Sequence, residues 1–349
     1  MAVTLKMISE HTGFSQTTIS RVLNSDPTFI VEEETRRTIC ETAKRLGYSG
    51  GTGRRRRQTK TTEIQIGIAE MLSPAEQMTD PYFLYLRNFV EQQCAEARIL
   101  TMLLQRNSDG CYRTADIEVD GIVAIGYFSE KQIASLQSIC NNIVFLDSSP
   151  DEMLYDSVVL NYELGMKQAL DHLRRFHHTN IGFIGPKRLY DEVNHITWEP
   201  RRQYYERYMR EHSLYHASLI VEVPLRDQVA VTEEFTMRLR TMPKEVQATA
   251  WVTVNEECAI SVIRALRKEG YRVPEDVSVI GFNDTAMSCI IEPPLTSISP
   301  HIDYMAEIAV QLVQQRIRRS GLLTKRQYPQ KVVIPTMLIR EDSTVAELK

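Results

Sequence analysis

Long hydrophobic runs are missing from this 349-residue chain. No apolar stretch approaches the ~18–20 residues that a membrane-spanning helix needs. The first residues also lack the apolar core of a secretion signal, because Lys6, Glu10 and His11 interrupt them. We therefore expect a cytoplasmic protein that does not contact membranes. The length predicts two or three domains, since one core rarely grows so large.

Cysteine is sparse, and close pairs of cysteines are absent. The pattern favours reduced, mostly buried thiols over a disulfide framework or a zinc site. The histidine pair His177-His178 has no cysteine or acid at metal-ligand spacing, so we expect it to be structural and expect no metal. The six cysteines are Cys40, Cys94, Cys111, Cys140, Cys258 and Cys289.

Signatures of catalysis are missing as well. The chain has no glycine-rich phosphate loop, no nucleophile elbow around a serine, no zinc-binding helix motif and no dinucleotide fingerprint. Scattered acidic residues alone do not predict a catalytic site. We expect neither an enzyme nor a cofactor.

Charge is present but unevenly distributed. Residues 1–60 hold 11 lysines and arginines against 6 acids, a formal charge of +5, whereas the whole chain carries −4 and the remainder therefore −9. A basic N-terminal part on an acidic body suits a protein whose N-terminal part meets phosphate and whose body does not.

The first fifty residues predict short helices around a glycine turn. Thr4 can cap a first helix, Gly13 supplies the turn, and Ser15 can cap a second helix. A third helix follows. The residues expected to face inward are Leu5, Ile8 and Thr12 on the first helix, Ile19, Val22 and Leu23 on the second, and Ile39, Ala43 and Leu46 on the third.

This arrangement leaves Gln16, Thr17, Ser20 and Arg21 pointing outward near the start of the second helix. A helix-turn-helix presents side chains from that place to base edges in the major groove. Glutamine can pair with adenine, arginine with guanine, and threonine can touch a thymine methyl. Sequence-specific DNA binding is the leading hypothesis, and a small helical cap on a larger domain is the alternative.

Residues 49–62 interrupt the pattern with three glycines and the run Arg54, Arg55, Arg56 and Arg57. Such a segment cannot build a core and predicts a linker. Our hypothesis is an extended basic arm beside a narrow minor groove, and the alternative is a solvated charge run that attracts DNA nonspecifically.

From residue 63 onward, apolar strands alternate with amphipathic helices. This alternation predicts doubly wound parallel sheets, and the strands are too many for one sheet, so we expect two lobes. The helices are Tyr82–Ala97, Leu164–Phe176, Arg201–His212 and Glu256–Lys268. The strands are Ile64–Ala69, Leu100–Leu104, Gly121–Ile125, Ile143–Leu146, Ser157–Leu160, Ile181–Ile184, Leu219–Val223, Thr249–Val254 and Val277–Phe282.

The whole chain resembles the lactose-repressor/galactose-repressor (LacI/GalR) family of bacterial transcription regulators. A Gram-positive lactose or galactose branch is the nearest match, through residues 126–129 and 145–151. The motifs that carry the family resemblance are Thr4-Leu5, residues 15–24, residues 34–48, Asp120-Gly121-Ile122, residues 181–185, residues 273–284 and residues 293–298.

The resemblance implies an all-α helix-turn-helix head followed by an α/β periplasmic-binding-protein-like effector domain. The head would span residues 1–49, the linker 50–62, and the effector and dimerisation domain 63–340. Lobe one would comprise 63–160 and 296–322, and lobe two 161–295 and 323–340. The chain would cross between lobes near residues 160–161, 295–299 and 322. No heptad repeat follows, so a homodimer is expected.

The resemblance also assigns roles within the head. Gln16, Thr17 and Arg21 match the family's base-reading positions, while Thr4, Ser15 and Asn24 are better placed for phosphate contacts or capping. The linker departs from the family, because Arg57 stands where a leucine normally wedges into the minor groove.

For the effector, the resemblance implies a cleft between the lobes with polar groups for sugar hydroxyls and aromatic faces for the ring. Asn283 stands where many relatives carry aspartate, and the segment 107–119 is shorter than in the family. The implied positions are Asp80, Tyr82, Tyr127, Asp147, Trp198, Arg201, Asn255 and Asn283.

The resulting expectation is a homodimeric repressor of sugar-utilisation genes. Operator DNA and a small sugar, galactose or a galactoside first, would be its partners. The sugar could act instead as a corepressor, and a phosphocarrier protein could be a further partner. A sugar-binding transport protein is the alternative from another class, but it would need a secretion signal and no basic head.

Overall fold

In the computed structural model the chain divides into two units, residues 1–62 and 63–349, here called the head and the body. Among the residues described, no helix is long and apolar enough to cross a membrane. The structure describes residues 4–23, 29, 31–46, 64–114, 117–190, 196–224, 226–243, 246–317 and 328–344.

The head consists of three helices, as the sequence predicts: α1 (Leu5–Thr12), α2 (Gln16–Leu23) and α3 (Glu33–Leu46). Gly13 ends α1 with a φ of 75°, a conformation that glycine adopts without strain. Apolar side chains from all three helices form one small core, which fixes the direction of α2. The fully buried or nearly buried members of this core are Ile8, Ile19, Val22, Ile39 and Ala43.

The body alternates strands and helices over its whole length, and a short 3₁₀ helix spans Ala217–Leu219. Its helices are α4 (Pro74–Gln77), α5 (Tyr82–Glu96), α6 (Glu130–Ile139), α7 (Tyr162–Arg175), α8 (Pro200–Glu211), α9 (Gln228–Thr241), α10 (Glu256–Lys268), α11 (Ala286–Ile290) and α12 (Ile302–Arg316). Its strands are β1 (Gln65–Glu70), β2 (Leu100–Leu103), β3 (Gln105–Arg106), β4 (Tyr112–Arg113), β5 (Gly121–Ile125), β6 (Ile143–Leu146), β7 (Asp156–Leu160), β8 (Ile181–Ile184), β9 (Arg188–Tyr190), β10 (Ile196–Trp198), β11 (Ile220–Val221), β12 (Ala250–Thr253), β13 (Ser278–Phe282), β14 (Ser297–Ser299), β15 (Lys331–Ile334) and β16 (Met337–Ile339).

Two six-stranded sheets form the two lobes. Lobe one has the strand order β15-β7-β6-β5-β1-β2, with all neighbours parallel. Lobe two has the order β11-β8-β12-β13-β14-β16, parallel except for β16. The predicted fold of two doubly wound parallel sheets is confirmed. The ribbons β3–β4 and β9–β10 are additions that the sequence pattern does not predict.

The expected lobe boundaries at residues 296 and 322 are wrong. β14 pairs with β13 and so belongs to lobe two, and the chain crosses to lobe one only after Ser299. β15 pairs with β7 in lobe one, so the chain returns to lobe two between Ile334 and Met337. Both errors concern strands of only three or four residues, which are too short for a periodic pattern to assign.

Packing at the buried centre of lobe two explains why the sheet has a glycine at position 182. The ring of Trp251 lies over Gly182, where a Cβ would approach Cε3 of the indole to 2.2 Å, so no larger residue fits there. The Phe235 ring packs edge-on against the same indole, with 5.1 Å between the two ring centroids. His178 is buried nearby and bonds Thr249 Oγ1 at 2.8 Å through Nδ1, which agrees with a structural role.

The six cysteines are free thiols, but the expectation that most are buried is wrong. Cys94 and Cys258 are buried, whereas Cys40 and Cys289 are exposed and the other two are intermediate. Burial is decided by position along each helix or loop: Cys40 is exposed although the next residue towards the N-terminus, Ile39, is fully buried.

Candidate functional site

The caps of the two first helices form as the sequence predicts. The Thr4 hydroxyl accepts a hydrogen bond from the Met7 amide at 3.4 Å. The Ser15 hydroxyl accepts one from the Thr18 amide at 3.1 Å. Both residues are exposed, so the groups that cap the helices also remain open to solvent at their helix N-termini.

The outer face of α2 carries Gln16, Thr17 and Arg21, all of them exposed, and Ser20 at its margin. The opposite face is buried through Ile19 and Val22. The Arg21 guanidinium lies 5.3 Å from the centre of the Phe29 ring, a cation–π contact that restricts its motion. Asn24 and the run Arg54, Arg55, Arg56 and Arg57 lie outside the described residues.

A cleft of about 1540 Å³ lies between the two lobes of the body. It opens at the carboxyl ends of the parallel strands, where ligands bind in folds of this type. Of the eight predicted effector positions, seven line it: Asp80, Tyr82, Tyr127, Asp147, Arg201, Asn255 and Asn283.

The eighth position, Trp198, is not among the residues that line the cleft. Its side chain is 46% exposed on β10, and Arg188 places its guanidinium 4.7 Å from the indole ring. Because Arg188 itself lines the cleft, the indole lies beside the cleft on the ribbon β9–β10, and its role as a sugar-stacking face stays a prediction.

Asp147 is the centre of the lobe-one wall. It follows β6 in a left-handed conformation (φ 74°) and is buried. Its Oδ1 accepts hydrogen bonds from the hydroxyls of Tyr162 at 3.1 Å and Tyr82 at 3.4 Å. Burial raises the pKa of Asp147 to about 7, while the charge of Arg201 and the two hydroxyls act against the rise. Tyr162 belongs to lobe two, so this hydrogen bond joins the lobes.

Arg201 is the principal cation of the lobe-two wall, and its charge is already neutralised. Glu199, which is fully buried, accepts bonds from Nε at 2.6 Å and from Nη2 at 3.1 Å. Nη1 donates to the Val254 carbonyl at 2.6 Å. The guanidinium also lies 5.0 Å from the ring centre of Tyr162. A guanidinium has five N–H donors, so two remain for a ligand.

Two amides complete the lobe-two wall. Asn255 caps α10, its Oδ1 accepting a bond from the Cys258 amide at 3.0 Å, which leaves its NH₂ group towards the cleft for a ligand. Asn283 follows β13 with a φ of 108°. The loop behind it is tied to the buried Glu256, which accepts a bond from the Thr285 amide at 2.8 Å.

An ion pair bridges the lobes beside these groups. Arg226 Nη1 of lobe two lies 3.1 Å from Glu76 Oε1 of lobe one. Glu76 also caps α4 through its other oxygen, which accepts bonds from the amide and hydroxyl of Ser73 at 2.8 Å. Hydrogen bonds and this ion pair therefore hold Glu76 and pull its pKa below the ordinary value, although partial burial acts the other way.

Four residues at this site were not predicted from the sequence: Glu199, Tyr162, Glu76 and Arg226. Glu199 had a local signal, since an acid followed by Pro200-Arg201 is a typical helix start. The others depend on contacts between lobes, which no local pattern contains.

The lining of the cleft is suited to a polyhydroxylated ligand. It offers three aromatic hydroxyls, two amides, two free guanidinium donors and buried carboxyl groups. No cluster of three metal-binding side chains occurs in the part of the chain that the structure describes.

This geometry agrees with what the chain resembles. Residues 170–344 match the model of a periplasmic binding protein-like domain, the class of two-lobed ligand-binding modules. The HTH-type transcriptional repressor MelR of Bacillus subtilis (strain 168) is 29% identical over 352 residues, covering 98% of this chain and 97% of MelR. The HTH-type regulator GalR of Streptococcus thermophilus is 27% identical over 343 residues, covering 98% and 99%.

Two solved structures match over the full length. The regulator CelR in complex with cellobiose has a TM-score of 0.63 at 22% identity, covering 98% of this chain and 99% of CelR. The lac repressor dimer bound to operator and the anti-inducer ONPF has a TM-score of 0.62 at 19% identity, covering 99% and 100%. The chain belongs to the LacI/GalR family of transcriptional regulators, in the Gram-positive branch that the sequence predicts.

Proposed function

We propose that the protein is a repressor that binds operator DNA through α2 and releases it when a small sugar occupies the cleft. In this proposal residues 1–49 bind DNA and residues 50–62 link them to the body. Residues 63–340 bind the effector and form the dimer, and the protein acts in the cytoplasm. A galactose-type sugar is the first candidate, and a corepressor mode is the alternative within the same mechanism.

The observation that carries the DNA-binding part is the division of α2 into two faces. Ile19 and Val22 anchor one face in the head, while Gln16, Thr17 and Arg21 are exposed on the other. Side chains at the start of a second helix are those that a helix-turn-helix inserts into the major groove. MelR and GalR are both named as HTH-type regulators, which supports the same role here.

The sugar-binding part is supported by the chemistry of the cleft. Its walls pair hydroxyl-binding amides and carboxyl groups with the aromatic rings of Tyr82, Tyr127 and Tyr162. CelR was solved with cellobiose, and the lac repressor with the anti-inducer ONPF and operator DNA. Since lobe-to-lobe contacts such as Tyr162–Asp147 lie in the cleft, a ligand there can change how the lobes sit on each other.

The dimer is proposed because a two-fold protein recognises a pseudo-palindromic operator with two heads.

A basic arm at the minor groove is the role that we propose for Arg54, Arg55, Arg56 and Arg57. Neutralising these four arginines should flatten the salt dependence of DNA affinity by about 0.9 for each phosphate that the arm no longer neutralises. An unchanged slope would remove the arm from the interface.

The test of DNA recognition starts from the full-length protein and a library of random duplexes. Binding-site selection should enrich one pseudo-palindrome, and fluorescence anisotropy should then show at least a thousandfold preference for it over random DNA, as is typical of specific binders. Failure to enrich any sequence would overturn the DNA-binding part of the proposal.

The test of sugar control uses the selected duplex. A thermal-shift panel of galactose, lactose, melibiose and cellobiose identifies binders, and anisotropy then measures operator affinity with each binder at saturation. A change of at least fivefold is expected, the lower end of typical allosteric coupling. The substitution Asp147→Asn should abolish this sugar-dependent change of operator affinity. Because Arg201 also holds Glu199, Asp147 is the cleaner test residue.

A further inference from the structure

Two neighbouring cations at the mouth of the cleft have no acidic partner within the described part of the chain. Lys187 and Arg188 follow β8 at its carboxyl end in lobe two, and both line the cleft. Nε of Arg188 is buried and has no hydrogen-bond partner among the described residues. A buried donor without an acceptor is costly, so its place beside a ligand cleft indicates a group that a ligand completes.

The indole of Trp198 brings the two cations together. Arg188 and Trp198 are paired across the ribbon β9–β10, and the guanidinium carbon lies 4.7 Å from the centre of the indole ring. The ammonium nitrogen of Lys187 lies 5.7 Å from the same centre. Both cations therefore occupy one place on the lobe-two wall, where the contact with the ring restricts their motion.

This place adjoins the pocket around Arg201. The carbonyl of Lys187 accepts a hydrogen bond from the Glu199 amide at 3.3 Å. The carboxylate of Glu199 in turn holds the Arg201 guanidinium. The two cations and Arg201 therefore lie on neighbouring parts of the same wall, so a sugar bound at Arg201 has a substituent position beside the cations.

The other charged side chains of the lobe-two wall that the structure describes are paired. Arg201 is held by Glu199, as described above, and Arg226 pairs with Glu76 of lobe one. Glu222 also lines the cleft, but Arg202 holds it, with 3.0 Å between Nη1 and Oε2. Lysine and arginine side chains are charged at pH 7. The two cations over the indole therefore leave positive charge at the mouth of the cleft.

We propose that Lys187 and Arg188 form a subsite for an anionic group, and that the effector is an acidic sugar, one that carries a phosphate or a carboxylate. The inference rests on the proposed function. Phosphate and carboxylate oxygens accept charge-assisted hydrogen bonds from ammonium and guanidinium groups, and arginine can bind them through two donors at once. A hydroxyl group brings no charge, so a neutral sugar leaves both cations without a counter-charge.

The test compares matched sugars on the full-length protein by isothermal titration calorimetry at pH 7. Galactose is compared with its 1- and 6-phosphates and with galacturonate, and glucose with its 1- and 6-phosphates and with glucuronate. We expect at least one anion to bind tenfold or more tightly than its neutral parent. The phosphate and carboxylate arms show which acid the subsite takes. Neutral sugars that bind as tightly as all their anions in both series would overturn the subsite.

The double substitution Lys187→Gln with Arg188→Gln removes both charges and keeps polar side chains. The affinity for the preferred anion should fall at least tenfold more than the affinity for its neutral parent. Replacing Arg267 and Lys268 by glutamine is the matched control, because this adjacent pair at the end of α10 is exposed and is not among the residues that line the cleft. The control should keep the full preference for the anion.

Folding of each variant is checked by circular dichroism. If the double variant does not fold, Lys187→Gln alone, a change of an exposed side chain, should reduce the preference for the anion at least threefold. A preference that survives in a folded variant overturns the subsite.

Two exposed acids of lobe one, Glu130 and Asp151, line the same cleft and provide the competing explanation. If the cations served to pair with these acids when the lobes close, their removal would weaken the binding of neutral and anionic sugars equally. Equal losses would therefore overturn the subsite.

The subsite and sugar control of DNA binding fail in different ways. A neutral sugar that changes operator affinity, while its anions fail to bind, overturns the subsite and supports sugar control. An anion that binds through Lys187 and Arg188 without changing operator affinity supports the subsite and overturns sugar control. Absence of binding by every sugar tested overturns both.

Discussion

The outer face of α2 and the interior of the cleft are built for opposite kinds of partner. Gln16, Thr17 and Arg21 are exposed on one face of α2. The opposite face of this helix is buried and holds it in place. Asp147 and Arg201 are buried and are already bonded to neighbouring side chains. A duplex brings its own large surface to exposed groups, whereas a small ligand must be taken out of water by groups that are held before it arrives.

This difference has a consequence for mutation. A substitution on the exposed face of α2 should change binding and leave folding largely intact, because the side chains there lie outside the buried core of the head. A substitution in the cleft should change both, because its polar side chains stabilise one another in a buried place.

The largest effect is expected from Arg201→Ala. The variant leaves Glu199 fully buried without its bidentate partner, and removing one member of a buried ion pair costs about 3–5 kcal/mol. Urea unfolding of the full-length protein, followed by circular dichroism, measures the loss. The double variant Glu199→Gln with Arg201→Met should recover most of it, and a loss below about 1 kcal/mol in the single variant would contradict the account.

Arg21→Ala should produce a smaller effect of a different kind. We expect operator affinity to fall by about 1–3 kcal/mol and one base preference to relax. The urea midpoint should fall only slightly, because the contact with Phe29 that the substitution removes is made by an exposed side chain. Anisotropy on the selected duplex and on random DNA measures both affinities. Equal losses on the two DNAs would make Arg21 a phosphate contact instead of a base contact.

Glu257→Gln should change how stability depends on pH. The pKa of Glu257 rises from its ordinary 4.5 to about 8 on folding, so the folded protein holds a proton that the unfolded chain has lost between these values. The contribution of Glu257 to stability is therefore present below pH 4.5 and is lost as the pH rises through about 8.

The glutamine variant cannot lose that proton. Its unfolding free energy should therefore improve relative to the parent protein as the pH rises from 4.5 to about 8, as measured by urea unfolding across this range. A difference between the two proteins that stays constant with pH would show that Glu257 is not the group responsible.

Tyr162→Phe should give the smallest effect. It removes one hydroxyl, which donates to Asp147 at 3.1 Å across the lobes, and one such bond contributes about 0.5–1.5 kcal/mol. Urea unfolding should register a loss within that range, while the affinity for operator DNA without sugar stays unchanged. A loss of more than about 3 kcal/mol would indicate that the tyrosine does more than bridge the lobes.

The head shows how much local pattern can predict. Its three helices, its two caps and the buried and exposed faces of α2 were all predictable, because each depends on residues within one helical turn of each other. Most central strands of the body were predictable for the same reason. β14 and β15 were assigned to the wrong lobes because strands of three and four residues carry too little pattern to show which sheet they join.

The cleft shows where such patterns stop. The positions of Asp147, Arg201, Asn255 and Asn283 at strand and helix ends were predictable from family resemblance. Their pairing was not, because Glu199 and Tyr162 reach them only through tertiary contacts. The place of Trp198 beside the cleft could not be predicted, because it depends on a β-ribbon, β9–β10, that the sequence did not indicate.

The most direct test of the account measures operator affinity with and without a sugar that the thermal-shift panel identifies as a binder. Anisotropy should show at least a fivefold change of Kd in the parent protein. The Asp147→Asn variant should bind the operator as the parent does and should show no change with the sugar. A sugar that binds the parent protein without altering its operator Kd would contradict the account.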